Sequence, residues 1–261
     1  MDRTELIQPE PAEALAALLG VPLPDVEAGL PLLWHWLYLL ERPAQADLGP
    51  DGHPLRGGVL APPGPGRRRM WAGGRVRTSG ALRCGEPATR HSEVLSKTEK
   101  HGRSGALTFV VVAHRISQRG QVVVDERQDV VYREAGLPSL PEDGPVVPPA
   151  AGDRALDVTP TLLFRFSALT YNAHRIHYDR DYSRDVEGYP GLLTHGPLQA
   201  LAMAEAARAA GCDGDQTFDY RLVSPLFDHQ GLIARADIAA DGVTTAVRDR
   251  HGRQTATGTL R

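Results

Sequence analysis

This sequence of 261 residues has few cysteines, few lysines and a small net charge, and these features exclude several classes of protein. The two cysteines, Cys84 and Cys212, have no CxxC or CxxH neighbour, so neither a disulfide framework nor a structural zinc site is indicated. The 29 basic and 32 acidic residues leave a formal charge of −3, which provides no overall field for nucleic acid or an anionic membrane. The basic residues are nearly all arginine, scattered without a basic block.

Long apolar runs are also missing. The longest, from Leu30 to Leu40, is interrupted by Pro31 and His35 and is too short to cross a bilayer. The N-terminus opens with acidic residues and lacks the basic segment and apolar core of a secretory signal. With 41% hydrophobic residues the chain can still build a substantial core. We therefore expect a globular protein of the reducing cytoplasm, with no nucleic-acid or membrane partner.

The order of elements along the chain indicates two similar halves. In the first half, a helix is predicted from Pro11 to Leu19, then a Gly- and Pro-rich loop from Pro43 to Arg69 that we expect to border a binding site. Strands follow that loop. They are predicted at Met70–Thr78, His91–Glu99, Ala106–Ile116 and Val122–Tyr132.

The second half repeats this order after a Pro-rich linker. A long helix is predicted from Gly196 to Ala210, and strands are predicted near residues 218–223, 230–238, 243–248 and 254–260. Two such units predict an α+β duplication, each unit with one long helix wrapped by a curved antiparallel sheet. We set the boundaries at 1–140 for the first domain, 141–158 for the linker and 159–261 for the second domain.

One stretch, from Phe164 to Met203, is unusually rich in side chains that carry chemistry. It holds His174, His177 and His195, and imidazole exchanges protons near neutral pH. His174 and His177 could also share a metal ion, but no third ligand has an obvious source, so no metal is predicted. Gly196 and Pro197 begin the long helix, whose free amides could stabilise a thioester oxygen that gains negative charge. The alternative is that they only punctuate a junction between loop and helix.

These residues resemble the MaoC-like, or hydratase 2, family of hot-dog enzymes. The segment Asn-Ala-His-Arg-Ile-His-Tyr-Asp, residues 172–179, aligns without a gap on the family motif, and the His-Gly that begins the central helix follows. The resemblance places the catalytic histidine at His177, the acid that follows it at Asp179 and the oxyanion glycine at Gly196. The chain departs from the family at Asn172, where an aspartate is usual, and at His174, where an asparagine is usual.

Two segments, SALTYNAHRIHYD and GYPGLLTHGPLQA, resemble one subfamily more closely. It contains the hydroxyacyl-thioester dehydratases type 2 and the mesaconyl-C4-CoA and itaconyl-CoA hydratases, in which the altered motif is usual. The resemblance is strong in the second half and limited to general layout in the first, where the family carries a degenerate hot-dog domain. It implies a double hot-dog fold.

The function that the resemblance implies is reversible addition of water to an enoyl thioester. His177 is then the principal acid/base and Asn172 orients the water. Because an amide cannot exchange protons as a carboxylate does, a second proton carrier is needed, with His174 the first candidate and Tyr171 and Asp179 next. Each of these three could instead only brace or line the site.

Substrate contacts are also expected around the motif. Arg175 could pair with a substrate carboxylate, as a mesaconyl or itaconyl group would require, or with a neighbouring acid such as Asp179. We expect Tyr189 and Pro190 to wall the acyl pocket, and Tyr171, His195 and Asp179 to contribute to binding.

The partner expected from the resemblance is an acyl-CoA or acyl-carrier thioester, without a cofactor other than coenzyme A as part of the substrate. A homodimer or higher homo-oligomer is expected because hot-dog domains pair through their sheets. Three alternatives stay open: a 3-hydroxyacyl-thioester dehydratase of fatty acid or polyketide metabolism, a thioesterase using Glu205 on the long helix, and a non-catalytic acyl-thioester-binding protein, which the change at Asn172 motivates.

Overall fold

The structure is a computed structural model that describes residues 1–102, 105–136, 143–240 and 242–261. Its first half contains β1 (Asp2–Leu6), α1 (Glu10–Leu19), β2 (Arg67–Thr78), β3 (Pro87–Gly102), β4 (Gly105–Gln118) and β5 (Gln121–Glu134). Its second half contains β6 (Arg154–Leu156), α2 (Pro160–Leu169), α3 (Gly196–Ala209), β7 (Thr217–Leu222), β8 (Leu232–Ala239), β9 (Gly242–Arg248) and β10 (Gln254–Leu260). The predicted α+β class is confirmed.

The ten strands form one continuous antiparallel sheet in the order β1-β3-β4-β5-β2-β7-β10-β9-β8-β6. The halves join where β2 pairs with β7, with Gly74 opposite Tyr220. Glycine is needed at this seam because a Cβ atom on Gly73 would lie 2.4 Å from the Tyr220 carbonyl oxygen. The indole nitrogen of Trp71 donates to the Tyr220 hydroxyl at 2.9 Å across the same seam. The chain thus pairs its two halves internally.

In the second half the sheet wraps a buried helix, as predicted. Ten of the fourteen residues of α3 are buried, and the helix packs against β8, β9 and β10. Many of the buried residues are alanines, and small side chains allow a helix and a sheet to approach closely. Gln199 on the helix accepts a hydrogen bond from the Thr255 hydroxyl of β10 at 2.7 Å. The N-terminus of α3 is therefore held firmly relative to the sheet.

The first half departs from the prediction of one long helix in each unit. Its α1 has ten residues, ends at Gly20 in the left-handed conformation and packs against α2. The long segment from there to β2 is irregular apart from two short 3-10 turns, Trp34–Leu37 and Gln45–Asp47. Its glycines and prolines cannot sustain a helix. As a result, the inner face of β2 to β5 borders a cavity, whereas the inner face of β8 to β10 packs against α3.

Two edge strands were not predicted. β1 pairs with β3 at one end of the sheet, and β6, inside the predicted linker, pairs with β8 at the other. Each half therefore begins with a short strand before its helix. The predicted domain boundary at residues 140–141 lies outside the described residues. In the part of the chain that is described, no helix is long and apolar enough to cross a membrane.

Candidate active site

A cavity of about 830 Å³ lies between the two halves. One wall consists of the inner face of β2 to β5, and the opposite wall consists of α2, the segment that follows it and the start of α3. Six of the predicted site residues line this cavity: Tyr171, Asn172, His174, His177, Tyr189 and Gly196. The motif of the second half therefore faces the open sheet of the first half.

His177 is fixed in one tautomer by a backbone hydrogen bond. Its Nδ1 lies 2.7 Å from the carbonyl oxygen of Leu193, which accepts the proton and leaves a lone pair on Nε2. Burial lowers the pKa of His177 to about 4, against the opposing effect of the Leu193 carbonyl. The ring is therefore neutral near pH 7 and is able to accept a proton.

His195 supports His177 from behind and does not line the cavity. The two rings stack with centroids 3.7 Å apart, and the His195 Nε2 lies 2.8 Å from the hydroxyl oxygen of Ser167 on α2. Burial and the neighbouring His177 lower the pKa of His195 well below its usual value. His195, which is predicted to bind substrate, thus lies outside the cavity wall, with its ring stacked on His177.

Asn172 presents a donor to the cavity. Its side-chain oxygen accepts the backbone N–H of His174 at 3.0 Å, so its amide nitrogen is the group left for water or substrate. Its own backbone N–H donates to the Ser167 carbonyl at 2.8 Å. The preceding Tyr171 has a positive φ of 50° and a half-exposed ring at the cavity rim. This sharp turn after α2 directs Asn172 inward.

Gly196 begins α3, whose first amide groups have no acceptor within the helix. These amides and the positive end of the helix dipole favour an oxygen atom that gains negative charge. A Cβ atom at Gly196 would lie 2.2 Å from Cδ1 of Leu222 on β7. A larger residue at position 196 would therefore have to displace the end of the Leu222 side chain.

A loop of the first half docks onto the motif of the second. The backbone N–H of Arg175 donates to the Asp51 carbonyl at 2.9 Å, and its guanidinium donates to the Pro50 carbonyl at 3.0 Å. Gly52, with a φ of +88°, passes so close that a Cβ atom would lie 1.8 Å from the Ala173 carbonyl oxygen. The loop thus brings His53 to the cavity wall.

His53 is a site residue that the sequence did not reveal. Asp51 accepts both the backbone N–H of His53, at 2.9 Å, and its Nδ1, at 2.8 Å. The rings of His53 and His174 have centroids only 3.9 Å apart. The loop had been expected to border a binding site, but the residues DGH gave no sign of which side chain would enter it. The Asp51 carboxylate is close to both rings, since ligand atoms of all three residues lie within 4.8 Å of one another.

Four imidazoles thus lie side by side: His53, His174, His177 and His195. The His174 and His177 centroids are 5.5 Å apart, which completes the row. Burial lowers the pKa of every one, and repulsion from a neighbouring ring or from Arg69 adds to it. At His53 the Asp51 hydrogen bond opposes that lowering. His53 is consequently the ring whose protonated form has an anionic partner.

Ligand atoms of Asp51, His53 and His174 lie within 4.8 Å of one another, a spacing that would also admit a cation. Asp51 already accepts the Nδ1 proton of His53. This favours a hydrogen-bonded pair. Of the two histidines that the sequence raised as a metal site, the cluster includes His174 but not His177.

Besides His195, three predicted substrate contacts lie outside the cavity wall: Arg175, Asp179 and Pro190. Arg175 donates twice to Asp179, at 2.7 and 3.0 Å, and its guanidinium lies over the Tyr182 ring. Asp179 also accepts the Tyr182 backbone N–H, so this pair braces the turn after His177. Pro190 is exposed and does not wall the pocket, whereas Tyr189 does. Of the two partners expected for Arg175, a substrate carboxylate and Asp179, the structure shows Asp179.

Other arginines do line the cavity, on the sheet of the first half. Arg69, Arg90 and Arg133 are among them. The Nε atoms of Arg90 and Arg133 are buried without a hydrogen-bond partner among the described residues. Arg90 is also only distantly paired, with its Nη2 3.8 Å from Glu41. The sheet wall thus offers positive charge that the described residues only partly neutralise.

Comparison with known proteins now identifies the class. Residues 33–228 match the family model for hydroxyacyl-thioester dehydratase type 2. The chain belongs to this family, and it adopts the double hot-dog fold that the sequence predicted. Hydroxyacyl-thioester dehydratases are lyases that remove water from their substrates. The predicted enzyme class is therefore confirmed.

Among individual relatives, the chain is 47% identical over 235 residues to a mesaconyl-C(4)-CoA hydratase of Chloroflexus aurantiacus, covering 87% of this chain and 83% of that protein. A MaoC-like dehydratase of Phytophthora capsici has a similar structure, with a TM-score of 0.71 and 16% identity over 100% of this chain and 94% of that one. A Mycobacterium tuberculosis protein described as a double hot-dog fold matches with a TM-score of 0.55 and 15% identity, over 98% and 92% of the chains.

Proposed function

We propose that this enzyme reversibly hydrates a short, branched dicarboxylyl-CoA such as mesaconyl-C4-CoA or itaconyl-CoA, giving citramalyl-CoA. The observation that carries the proposal is the grouping of three elements at one cavity wall: the neutral ring of His177, the donor amide of Asn172 and the free amides that begin at Gly196. Hydration requires a proton acceptor, a positioned water and donors for the thioester oxygen.

Each group has one task in the addition of water. Asn172 donates a hydrogen bond to the water oxygen, which leaves both water protons free to be accepted elsewhere. Nε2 of His177 accepts one of them as the oxygen bonds to the β-carbon. The amides at the start of α3 bind the thioester oxygen as it gains charge. His195 and Ser167 hold the His177 ring in place during the transfer.

The dicarboxylate preference rests on the charge of the opposite wall. A guanidinium binds a carboxylate through paired hydrogen bonds, and Arg90 has a buried Nε with no partner in the described chain. The 47% identity to a mesaconyl-C(4)-CoA hydratase supports the same substrate class. Arg90, not Arg175, is thus our candidate for binding the free carboxylate of the acyl group.

A second candidate is a 3-hydroxyacyl-thioester dehydratase for longer, uncharged acyl chains. The cavity volume of about 830 Å³ favours it, because a branched acyl group of five carbons fills little of that space. A thioesterase is disfavoured: Glu205 is buried, accepts hydrogen bonds from Trp34 and Arg208, and does not line the cavity.

The test is a comparison of three substrates with the purified chain: mesaconyl-C4-CoA, itaconyl-CoA and crotonyl-CoA. Hydration is measured by the loss of the enoyl absorbance. We expect kcat/KM to be at least about 10-fold higher for the dicarboxylates than for crotonyl-CoA. Arg90→Gln should remove that preference and leave crotonyl-CoA hydration unchanged, with the exposed Arg115→Gln as control. Crotonyl-CoA as the best substrate would support the second candidate. No hydration of any of them, with tight binding, would support a non-catalytic acyl-thioester-binding protein.

We also propose that the enzyme works in the reducing cytoplasm, which its two free cysteines allow. A homodimer or higher oligomer stays a prediction, to be tested by light scattering. It would use surfaces other than the seam between β2 and β7, which pairs the halves within one chain.

A further inference from the structure

The imidazole row includes one ring, His53, that the second-half motif does not supply. Within that motif Asn172 presents an amide to the cavity, and an amide cannot exchange protons as a carboxylate does. Among the described residues, the carboxylate that is hydrogen-bonded to a ring of the row is Asp51, on the loop of the first half. Its partner His53 lines the same cavity as His177.

We propose that His53, held by Asp51, is the second acid/base of the reaction and exchanges a proton with the α-carbon while His177 exchanges one with water. This proposal rests on the hydration proposed above. It assigns a catalytic group to the first half, which carries no recognisable motif.

The geometry of the Asp51 and His53 pair supports this role. Asp51 accepts Nδ1 at 2.8 Å, which leaves Nε2 as the nitrogen that gains and loses the proton. The side chains are 22% and 12% exposed, so solvent weakens their attraction little. Backbone contacts of Asp51 and Gly52 with the motif fix the pair relative to His177. The pair is thus arranged to hold an imidazolium beside a substrate.

The proposed step balances protons and electrons. Water gives one proton to Nε2 of His177 as its oxygen bonds to the β-carbon, and the π electron pair moves toward the thioester oxygen. When that pair returns, the α-carbon takes a proton from Nε2 of the His53 imidazolium. His177 has then gained the proton that His53 has lost, and His174, whose ring lies between them at 3.9 and 5.5 Å, returns it. Dehydration runs the same transfers backward.

The surroundings of His53 set its response to pH. Burial, with Arg69, lowers its pKa below the ordinary histidine value, although Asp51 and Glu187 oppose that effect. His174 is the uncharged ring packed against it. Burial raises the pKa of Asp51, but the His53 hydrogen bonds outweigh burial and lower it, so Asp51 stays ionised. Hydration should therefore decline as rising pH removes the His53 proton.

The experiment measures kcat, KM and the pH profile of mesaconyl-C4-CoA hydration for His53→Gln and Asp51→Asn. His91→Gln is the control, because His91 also pairs with an aspartate, Asp2, but on the exposed surface of β3. We expect His53→Gln to lower kcat about 100-fold with KM within about threefold, and to abolish the decline at high pH. Asp51→Asn should shift that decline to lower pH, because it removes the anion that stabilises the imidazolium. His91→Gln should behave as the native enzyme.

Three results would overturn the proposal while leaving the hydratase itself established. One is His53→Gln with kcat within threefold of native, and another is an effect confined to KM, which would indicate a binding contact only. A third is loss of activity on dialysis against a chelator with recovery on adding zinc, because Asp51, His53 and His174 would then hold a metal ion. If His53→Gln does not fold, as judged by circular dichroism, Asp51→Asn decides through the shift of its pH profile. An inactive native enzyme would instead contradict the proposed function.

Discussion

The two halves of the molecule share a sheet but use it differently. In the second half, β8 to β10 pack against α3, and the inner face is apolar and closed. In the first half, β2 to β5 have no such helix and face a cavity. In the described part of the first half no long helix covers these strands, and the space left there is the cavity between the halves. The half with the recognisable motif supplies chemistry, and the other supplies the opposite wall.

The inner face of the first half is polar as a consequence. Glu126 is buried and accepts hydrogen bonds from His35, Trp36 and Gln128, at 3.0, 2.8 and 2.8 Å. Burial acts to raise its pKa, but its hydrogen bond and ion pair with His35 lower that pKa to about 2. A packed helix would leave such groups without partners, whereas a cavity tolerates them. The polarity of this wall therefore follows from the missing helix.

The largest expected effect comes from the motif of the second half. His177→Ala should lower kcat by about 1000-fold, because the hydrogen bond from its Nδ1 to the Leu193 carbonyl is what leaves Nε2 free to accept a proton from water. Hydration of mesaconyl-C4-CoA measures it, with the exposed His91→Ala as control. Activity within tenfold of native in a folded variant would assign the main acid/base to the first half.

The second-largest loss of activity is expected from a substitution at the start of α3. Gly196→Ala should lower kcat about 100-fold, because its Cβ atom would meet Leu222 and displace the amides of the helix. Adding Leu222→Ala to this variant should recover much of the activity if packing is the cause. No recovery in the double variant would show that the added methyl group blocks the substrate itself.

The contribution of the first-half loop should be smaller. Gly52→Ala places a Cβ atom 1.8 Å from the Ala173 carbonyl, so the loop must withdraw and carry His53 away. We expect kcat to fall about 10-fold to 100-fold. Gly57→Ala is a matched control, since Gly57 has a similar φ of +79° but open space around it, and both changes strain the backbone by about 1 kcal/mol. Equal activity in the two variants would mean that loop docking does not matter.

The smallest expected effect is on stability against pH. The pKa of His177 is about 4 in the folded protein and about 6.5 when unfolded, so the unfolded chain takes up the proton first as pH falls. The free energy of unfolding should therefore fall by about 1.4 kcal/mol per pH unit between those values for this residue alone. The other three rings, shifted in the same direction, make the loss steeper. Urea denaturation at about pH 7 and about pH 5 measures this fall in the native protein and in His177→Gln. An equal fall in both proteins would contradict the lowered pKa of His177.

The contrast between the halves also explains what the sequence could predict. The residues around His177 are contiguous and their spacing is fixed by one turn, so both the fold and this part of the site followed from the sequence. Asp51 and His53 are more than a hundred residues away in a Gly- and Pro-rich loop, and only tertiary docking brings them in. For Arg175 the sequence left two partners open, a substrate carboxylate and Asp179, and only the folded turn shows that Asp179 engages it. The missing first-half helix was overlooked because the strand pattern repeats even where the helix does not.

The most direct test of this composite site is hydration in water enriched with oxygen-18. Mesaconyl-C4-CoA incubated with the native chain should give a product heavier by one labelled water, and His177→Ala should give almost none in the same time. The appearance of free coenzyme A without hydrated product, or no mass change with mesaconyl-C4-CoA, itaconyl-CoA and crotonyl-CoA alike, would contradict the account.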